Sequence, residues 1–353
     1  MKSFLLKFLF TSLIIYLGQL LISNVFPPKI PETAVNFNLA YHEKKPEIMY
    51  LVDSTDYVTD SEEKDHDAIS LIMEKELKCA TVGAIVQNGG NPDIFAAYAK
   101  FIARFQPPPD YLIVEINMRA FGAAWDKDPQ FEFNEQKLFF DWFAETALMP
   151  FWPFFSNSGF INFQPANSTT TDQPPSIFLT LLRKAGLMRY PESPPNEPYP
   201  DNPLKNLIHA NYMNNLTKNH RKIQSLLRIA DMFASKKTKL IFYFTPIDYQ
   251  PKQSFMGDKF VTQLKKNVNL VKTALLEKQV TVLDLSTSLS AEAFTWRSIM
   301  KANSKLENLY NNEHLMAQGR HFVAKALTDE IGKTFIKVCP TPTPAASQGN
   351  APE

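Results

Sequence analysis

The sequence predicts an α/β fold with three layers, a parallel five-stranded sheet carrying helices on both faces. Short, partly β-branched apolar runs recur along the chain, and helical periodicity fills the intervals between them. Each run also stops abruptly on polar or glycine-rich residues. Such clusters mark the carboxyl edge of an open parallel sheet, where ligands bind.

Ile48 to Val52 carries the first strand, about 47–53, and Asp53-Ser54-Thr55-Asp56 ends it. Ala68, Ile69, Ile72, Met73 and Leu77 recur at helical spacing and predict a helix over about 62–77. Ser54 then falls on a strand-to-helix turn, which exposes a hydroxyl and brings helix amides close to it. The same residues also read as a plain helix cap or turn. Ala80–Gln87 is the second strand, ended by Asn88-Gly89-Gly90-Asn91-Pro92, and Asp93–Phe105 is a helix. Tyr111–Ile116 is the third strand, ended by Asn117-Met118-Arg119. Alternation then fails, and about 119–235 reads as a large helical insertion after the third strand. It holds an aromatic run, Leu138–Phe163, and helices at Ser176–Leu187 and Leu207–Ser235. Lys239–Phe244 is the fourth strand, ended by Thr245-Pro246-Ile247-Asp248. A helix at 259–277, a fifth strand at Val280–Leu285 and a last helix at Ala317–Ile336 complete the body.

Charge excludes one class of partner. Lys and Arg number 37 against 36 Asp and Glu, a net +1, so no field favours nucleic acid. Lys2 and Lys7 precede or interrupt an apolar stretch, Phe4–Ile22. Residues 1–24 therefore read as a membrane anchor or a signal peptide. No A-x-A site follows, which favours an uncleaved anchor with its amino end cytoplasmic. Residues 25–45, with Pro27, Pro28 and Pro31, read as a linker, and the body of 46–338 faces the periplasm or the exterior. Residues 339–353 are rich in Pro, Ala, Ser and Gly and read as a disordered tail. Cys79 and Cys339 form no C-x-x-C motif, and an exported location permits one disulfide. No H-E-x-x-H, P-loop or G-x-G-x-x-G motif is present, so neither a metal nor an organic cofactor is expected.

The polar clusters collect at one edge: Ser54, then Gly89-Gly90, then Asn117, and late in the chain Asn311-Asn312-Glu313-His314-Leu315 with Gly319 ahead of the last helix. In this order they resemble the SGNH (GDSL-like) hydrolase and acyltransferase superfamily, over roughly 46–120 and 237–330. Val52-Asp53-Ser54 stands for its Gly-Asp-Ser, Gly89 or Gly90 for its second block, and Glu115-Ile116-Asn117 for its third. The resemblance implies a three-layer αβα, flavodoxin-like fold. It makes Ser54 the nucleophile, His314 the base, and Gly90 and Asn117 the oxyanion donors. Asn311 stands where the family has an Asp. A neutral amide can orient an imidazole but cannot stabilise imidazolium by charge.

The fourth strand and the anchor narrow the resemblance to membrane-anchored members of the DltD and alginate-acetylation types. That implies a serine esterase or O-acyltransferase acting on an envelope polysaccharide or related polymer, beside a membrane-bound O-acyltransferase. Arg119 is then a substrate-binding candidate for a phosphate or carboxylate, or an ordinary ion-pair partner. Val52 and Asn311 leave a second reading open: a catalytically silent module of the same fold that binds a glycan or the membrane acyltransferase.

Overall fold

The computed structural model describes residues 45–57, 63–78, 80–105, 107–127, 131–145, 203–300 and 306–335, and singly Thr33 and Phe37. The apolar segment 1–24, the tail 339–353, Cys79, Cys339 and the helix expected at 176–187 lie outside them. Among the described residues, no helix is long and apolar enough to cross a membrane.

The sheet has five parallel strands: β1 (Ile48–Val52), β2 (Val82–Val86), β3 (Tyr111–Ile116), β4 (Lys239–Phe244) and β5 (Thr281–Asp284), in the order β2-β1-β3-β4-β5. Ile48 pairs with both Val82 and Tyr111, and Tyr111 pairs with Lys239. This register brings Ser54, Asn88, Asn117 and Thr245 to one edge. Every residue of β1 and β3 is buried, as expected for central strands covered on both faces.

The period of two divides the core into two clusters. Met49, Leu51, Leu112, Val114 and Phe242 point to one face, which is covered by α2 (Pro92–Ile102), α6 (Arg221–Phe233) and α8 (Asp258–Leu276). Ile48, Tyr50, Val52, Ile113 and Tyr243 point to the other, covered by α1 (Ile69–Leu77) and α9 (Ala317–Gly332). Between α2 and α6 the chain adds α3 (Ala123–Lys127), α4 (Asn134–Glu145) and α5 (Pro203–Tyr212). A short α7 (Tyr249–Met256) follows β4. An antiparallel hairpin, β6 (Phe294–Met300) and β7 (Leu306–Leu315), precedes α9.

Several sequence expectations change. The helix expected from 62 begins only at Ile69, because Arg320 holds the preceding stretch extended. Fully buried, Arg320 donates to Asp67 O at 2.9 Å, Leu315 O at 2.7 Å and Glu63 Oε2 at 3.0 Å, and also to Asp65 O. The single helix expected over 207–235 is two, α5 and α6. The second of these packs on the sheet rather than in a peripheral insertion. The linker expected over 25–45 contributes to the core. Phe37 is 0 % exposed and meets Tyr98, Phe101 and Phe140 with ring centroids 5.1–5.4 Å apart. Thr33 is also buried and donates to Gln87 Oε1 at 3.0 Å.

Candidate active site

Ser54 leads the site. Val52 ends β1, and Asp53 caps a single turn of 3-10 helix, Ser54–Asp56, by accepting from Thr55 N at 2.7 Å. Asp53 also takes Asp56 N on its carbonyl, so among the described residues the amide left beside the Ser54 hydroxyl is its own. The turn stays short because Asp56 is consumed elsewhere: its carboxylate accepts Ser70 N and Ser70 Oγ, both at 2.9 Å, at the start of α1.

His314 comes from the far end of the chain. It is the next-to-last residue of β7, followed by Leu315, which pairs with Phe294. Met316 N donates to Ala293 O at 2.8 Å, and Arg320 grips Leu315 O, so the residues following His314 are pinned. Gly319 lets the first turn of α9 sit this close, since a Cβ there would meet Ala293 O at 2.8 Å. As a result His314 Nε2 lies 3.1 Å from Ser54 Oγ, across 260 residues of sequence. His314 is 7 % exposed. With Nδ1 carrying the ring proton, Nε2 accepts from the hydroxyl, which is the contact a general base needs.

Asn117 stands at the end of β3 and serves both neighbours. Its Nδ2 donates to Asp53 Oδ2 at 3.1 Å, and its Oδ1 accepts Arg119 N at 3.0 Å. One N–H of the amide is thus committed to Asp53, and the second is the one available to a ligand. Arg119 is 8 % exposed; its Nη2 is 4.0 Å from Asp53 Oδ2 and its guanidinium lies 4.9 Å from the Trp125 ring centre. Beyond the end of β4, Lys252 Nζ donates to Asp248 O at 2.8 Å. Burial pulls the Lys252 amine down to about 8, against the pull of Asp248, and the Arg119 charge adds to the fall. Burial pushes the Asp248 carboxyl up.

Gly90 departs from its expected role. Its N–H donates to Gln87 O at 2.7 Å and closes a turn after β2, so that amide is not aimed at the site. The turn needs its glycines: Gly89 has φ +68, and a Cβ there would meet the Phe131 ring at 2.7 Å. Asn311 lies in the irregular part of β7, where the register shifts against β6 between Phe294 and Trp296, and its side chain lies outside the described residues.

Two carboxyl groups near Ser54 go beyond the site residues that the sequence suggests. Asp53 reads there as a cap or turn residue and as part of the Gly-Asp-Ser match, and in the structure it also ties Asn117 to the serine turn. Glu115, 1 % exposed, accepts Asp53 N at 2.8 Å and Thr55 Oγ1 at 3.2 Å. One signal marks it: a lone acid inside the apolar run Tyr111–Ile116. Such a residue must be neutral or strongly partnered.

Asp56 provides a pH test of this region. Burial pushes its carboxyl up to about 6, against the Ser70 hydrogen bonds and the Arg320 charge. A carboxyl raised on folding gives stability that is full below its ordinary range and is lost as pH rises toward 6. Asp56→Asn keeps both Ser70 contacts, with the Ser70 hydroxyl turned to accept. It should flatten the pH 4–6 dependence and stabilise the protein at pH 7.5 by about 1–2 kcal/mol, somewhat less than the shift itself implies. Urea unfolding at pH 4 and 7.5 measures this. An unchanged slope between the two would count against it.

Among the described residues, no group of His, Cys, Asp and Glu could hold a metal ion. No family model matches the chain, and no curated protein matches it significantly.

Proposed function

We propose that this chain is a serine esterase or O-acyltransferase of the SGNH (GDSL-like) kind. The observation that carries the reading is the 3.1 Å contact between Ser54 Oγ and His314 Nε2, at the carboxyl edge of a parallel sheet. Ser54 attacks an acyl carbonyl while its proton passes to His314 Nε2. The Ser54 amide and the second N–H of Asn117 face the developing oxyanion. Gly90 is left out of that set, because its amide serves the turn. The imidazolium then protonates the leaving oxygen. Water or an acceptor hydroxyl resolves the acyl-enzyme by the reverse path, giving hydrolysis or transfer.

The strand order matches the flavodoxin-like doubly wound arrangement, which supports the resemblance, with the intervening helices after β3 as elaboration. The acceptor in this reading is an envelope polysaccharide or related polymer. Residues 1–24 anchor the body outside the cytoplasm beside a membrane-bound O-acyltransferase, and Arg119 meets an acidic group of the polymer. The silent binding module keeps one specific support, the engaged Gly90 amide, since it removes a donor that catalysis would use.

A fluorophosphonate probe separates the two readings. The expected result is one covalent adduct on Ser54, found by peptide mass spectrometry, that is absent in Ser54→Ala and strongly slowed in His314→Ala. No adduct on the wild-type protein, or one on another residue, would favour the silent module.

A further inference from the structure

Carboxyl oxygens hold the serine turn on both sides of the nucleophile. Glu115 Oε2 accepts from Asp53 N at 2.8 Å and from Thr55 Oγ1 at 3.2 Å, one on each side of Ser54. Asp53 Oδ1 accepts from Thr55 N, and Asp53 Oδ2 accepts from Asn117 Nδ2. The nucleophile and the proposed oxyanion amide are therefore fixed relative to each other through Asp53 and Glu115. These two acids are both essentially buried and lie side by side.

Two carboxylates buried at such close quarters cannot both carry charge. Their surroundings differ in a way that decides which one does. Asp53 has the Asn117 amide, the Thr55 amide and the Arg119 guanidinium, all donors. Among the described residues, no donor reaches the buried Glu115 Oε1. An ionised Glu115 would leave a charged oxygen unmet, which costs far more than a neutral one in the same place. Tyrosines face Glu115 from β1 and β4, and Asp56 lies near Tyr50 and Asp53. Tyr50 and Tyr243 bond each other at 2.5 Å and stay neutral, and Asp56 adds negative charge nearby.

We propose that Glu115 is the positioning residue for Ser54: Glu115 and Asp53 share a single negative charge, carried by Asp53, and the serine turn keeps its shape only in that state. Burial and the Asp53 charge hold the Glu115 carboxyl well above the usual carboxylate range, in keeping with this. The consequence is an alkaline switch built behind the nucleophile. As pH rises and Glu115 ionises, repulsion between the two acids opens the turn. This inference rests on Ser54 being the nucleophile, and its test is arranged so that the two can fail separately.

The test compares Glu115→Gln with Glu115→Ala. Gln keeps an acceptor for Asp53 N and Thr55 Oγ1 and stays neutral at every pH; Ala removes both contacts. With p-nitrophenyl acetate, Ala should lower kcat about a hundredfold with little change in KM, the size expected of a nucleophile misplaced by an ångström. Gln should recover most of that loss and remove the alkaline fall of the wild-type profile. Gln as inactive as Ala, or Gln with the wild-type alkaline limb intact, would overturn the proposal. Infrared difference spectra need no turnover. The wild-type protein at pH 7 should show a protonated-carboxyl stretch that Glu115→Gln lacks, and its absence rejects the shared charge even if Ser54 proves inert.

Discussion

Ser54→Ala should abolish turnover of p-nitrophenyl acetate, with a loss of about four orders of magnitude or more, and His314→Ala should come close to it. Members of a nucleophile–base unit act together, so either removal forfeits nearly the whole effect and the double variant loses little more. The contact between Ser54 Oγ and His314 Nε2 motivates the size of the loss. The measurement is the initial rate at matched protein concentration, with a far-ultraviolet spectrum confirming the fold. Wild-type activity that survives Ser54→Ala would remove the mechanism.

The second large effect concerns stability. Lys222 is 1 % exposed; its Nζ lies 2.7 Å from Asp126 Oδ1 and also donates to Ala120 O. Arg221 Nη2 at 3.3 Å and His220 Nε2 at 3.6 Å complete the cluster on Asp126. Ala120 belongs to the turn that begins just after Asn117, so α6 is locked to the site through this ammonium. Lys222→Met leaves a buried carboxylate short of one partner and a carbonyl without its donor. It should cost about 3–5 kcal/mol, the usual penalty for breaking a buried ion pair from one side. The Lys222→Met/Asp126→Leu double variant should recover part of that loss. Burial opposes ionisation of Asp126, but the His220 and Lys222 contacts prevail and hold its carboxyl at about 2. Its contribution is present above the ordinary aspartate range and is lost as pH falls toward 2. The deficit of Lys222→Met should therefore shrink in acid. Chemical denaturation at pH 7 and pH 3 reads both, and equal deficits at the two would contradict the assignment.

The sheet is legible in the sequence because all five strands are apolar runs ended by punctuating residues, with breakers such as Pro107-Pro108-Pro109 between them. Ser54, Asn117 and His314 are visible for the same reason, as polar residues at strand or helix ends. What escapes reading depends on distant partners. The late start of α1 follows from Arg320, more than two hundred residues downstream, which captures the carbonyls of Asp65 and Asp67. Helix α7 is hidden by Pro251, which a helix tolerates in its first turn. The Gly90 amide cannot be assigned from a Gly-Gly pair alone, because a turn and an oxyanion donor need the same residue type. Glu115 is legible as an anomaly but not as a partner of Asp53.

Phe37 and Thr33 bear on the reach of the proposed esterase. Both are seated in or against the body, Phe37 among Tyr98, Phe101 and Phe140, and Thr33 on Gln87 beside the second strand end. If residues 1–24 lie in the bilayer as proposed, the stretch 25–33 is what joins them to the body. At full extension its nine residues span about 30 Å. Thr33 is held by Gln87, just past the end of β2, on the same sheet edge as Ser54. Under that proposal the sheet edge at Thr33 stays within about 30 Å of the lipid surface, a reach suited to polymer just emerging there.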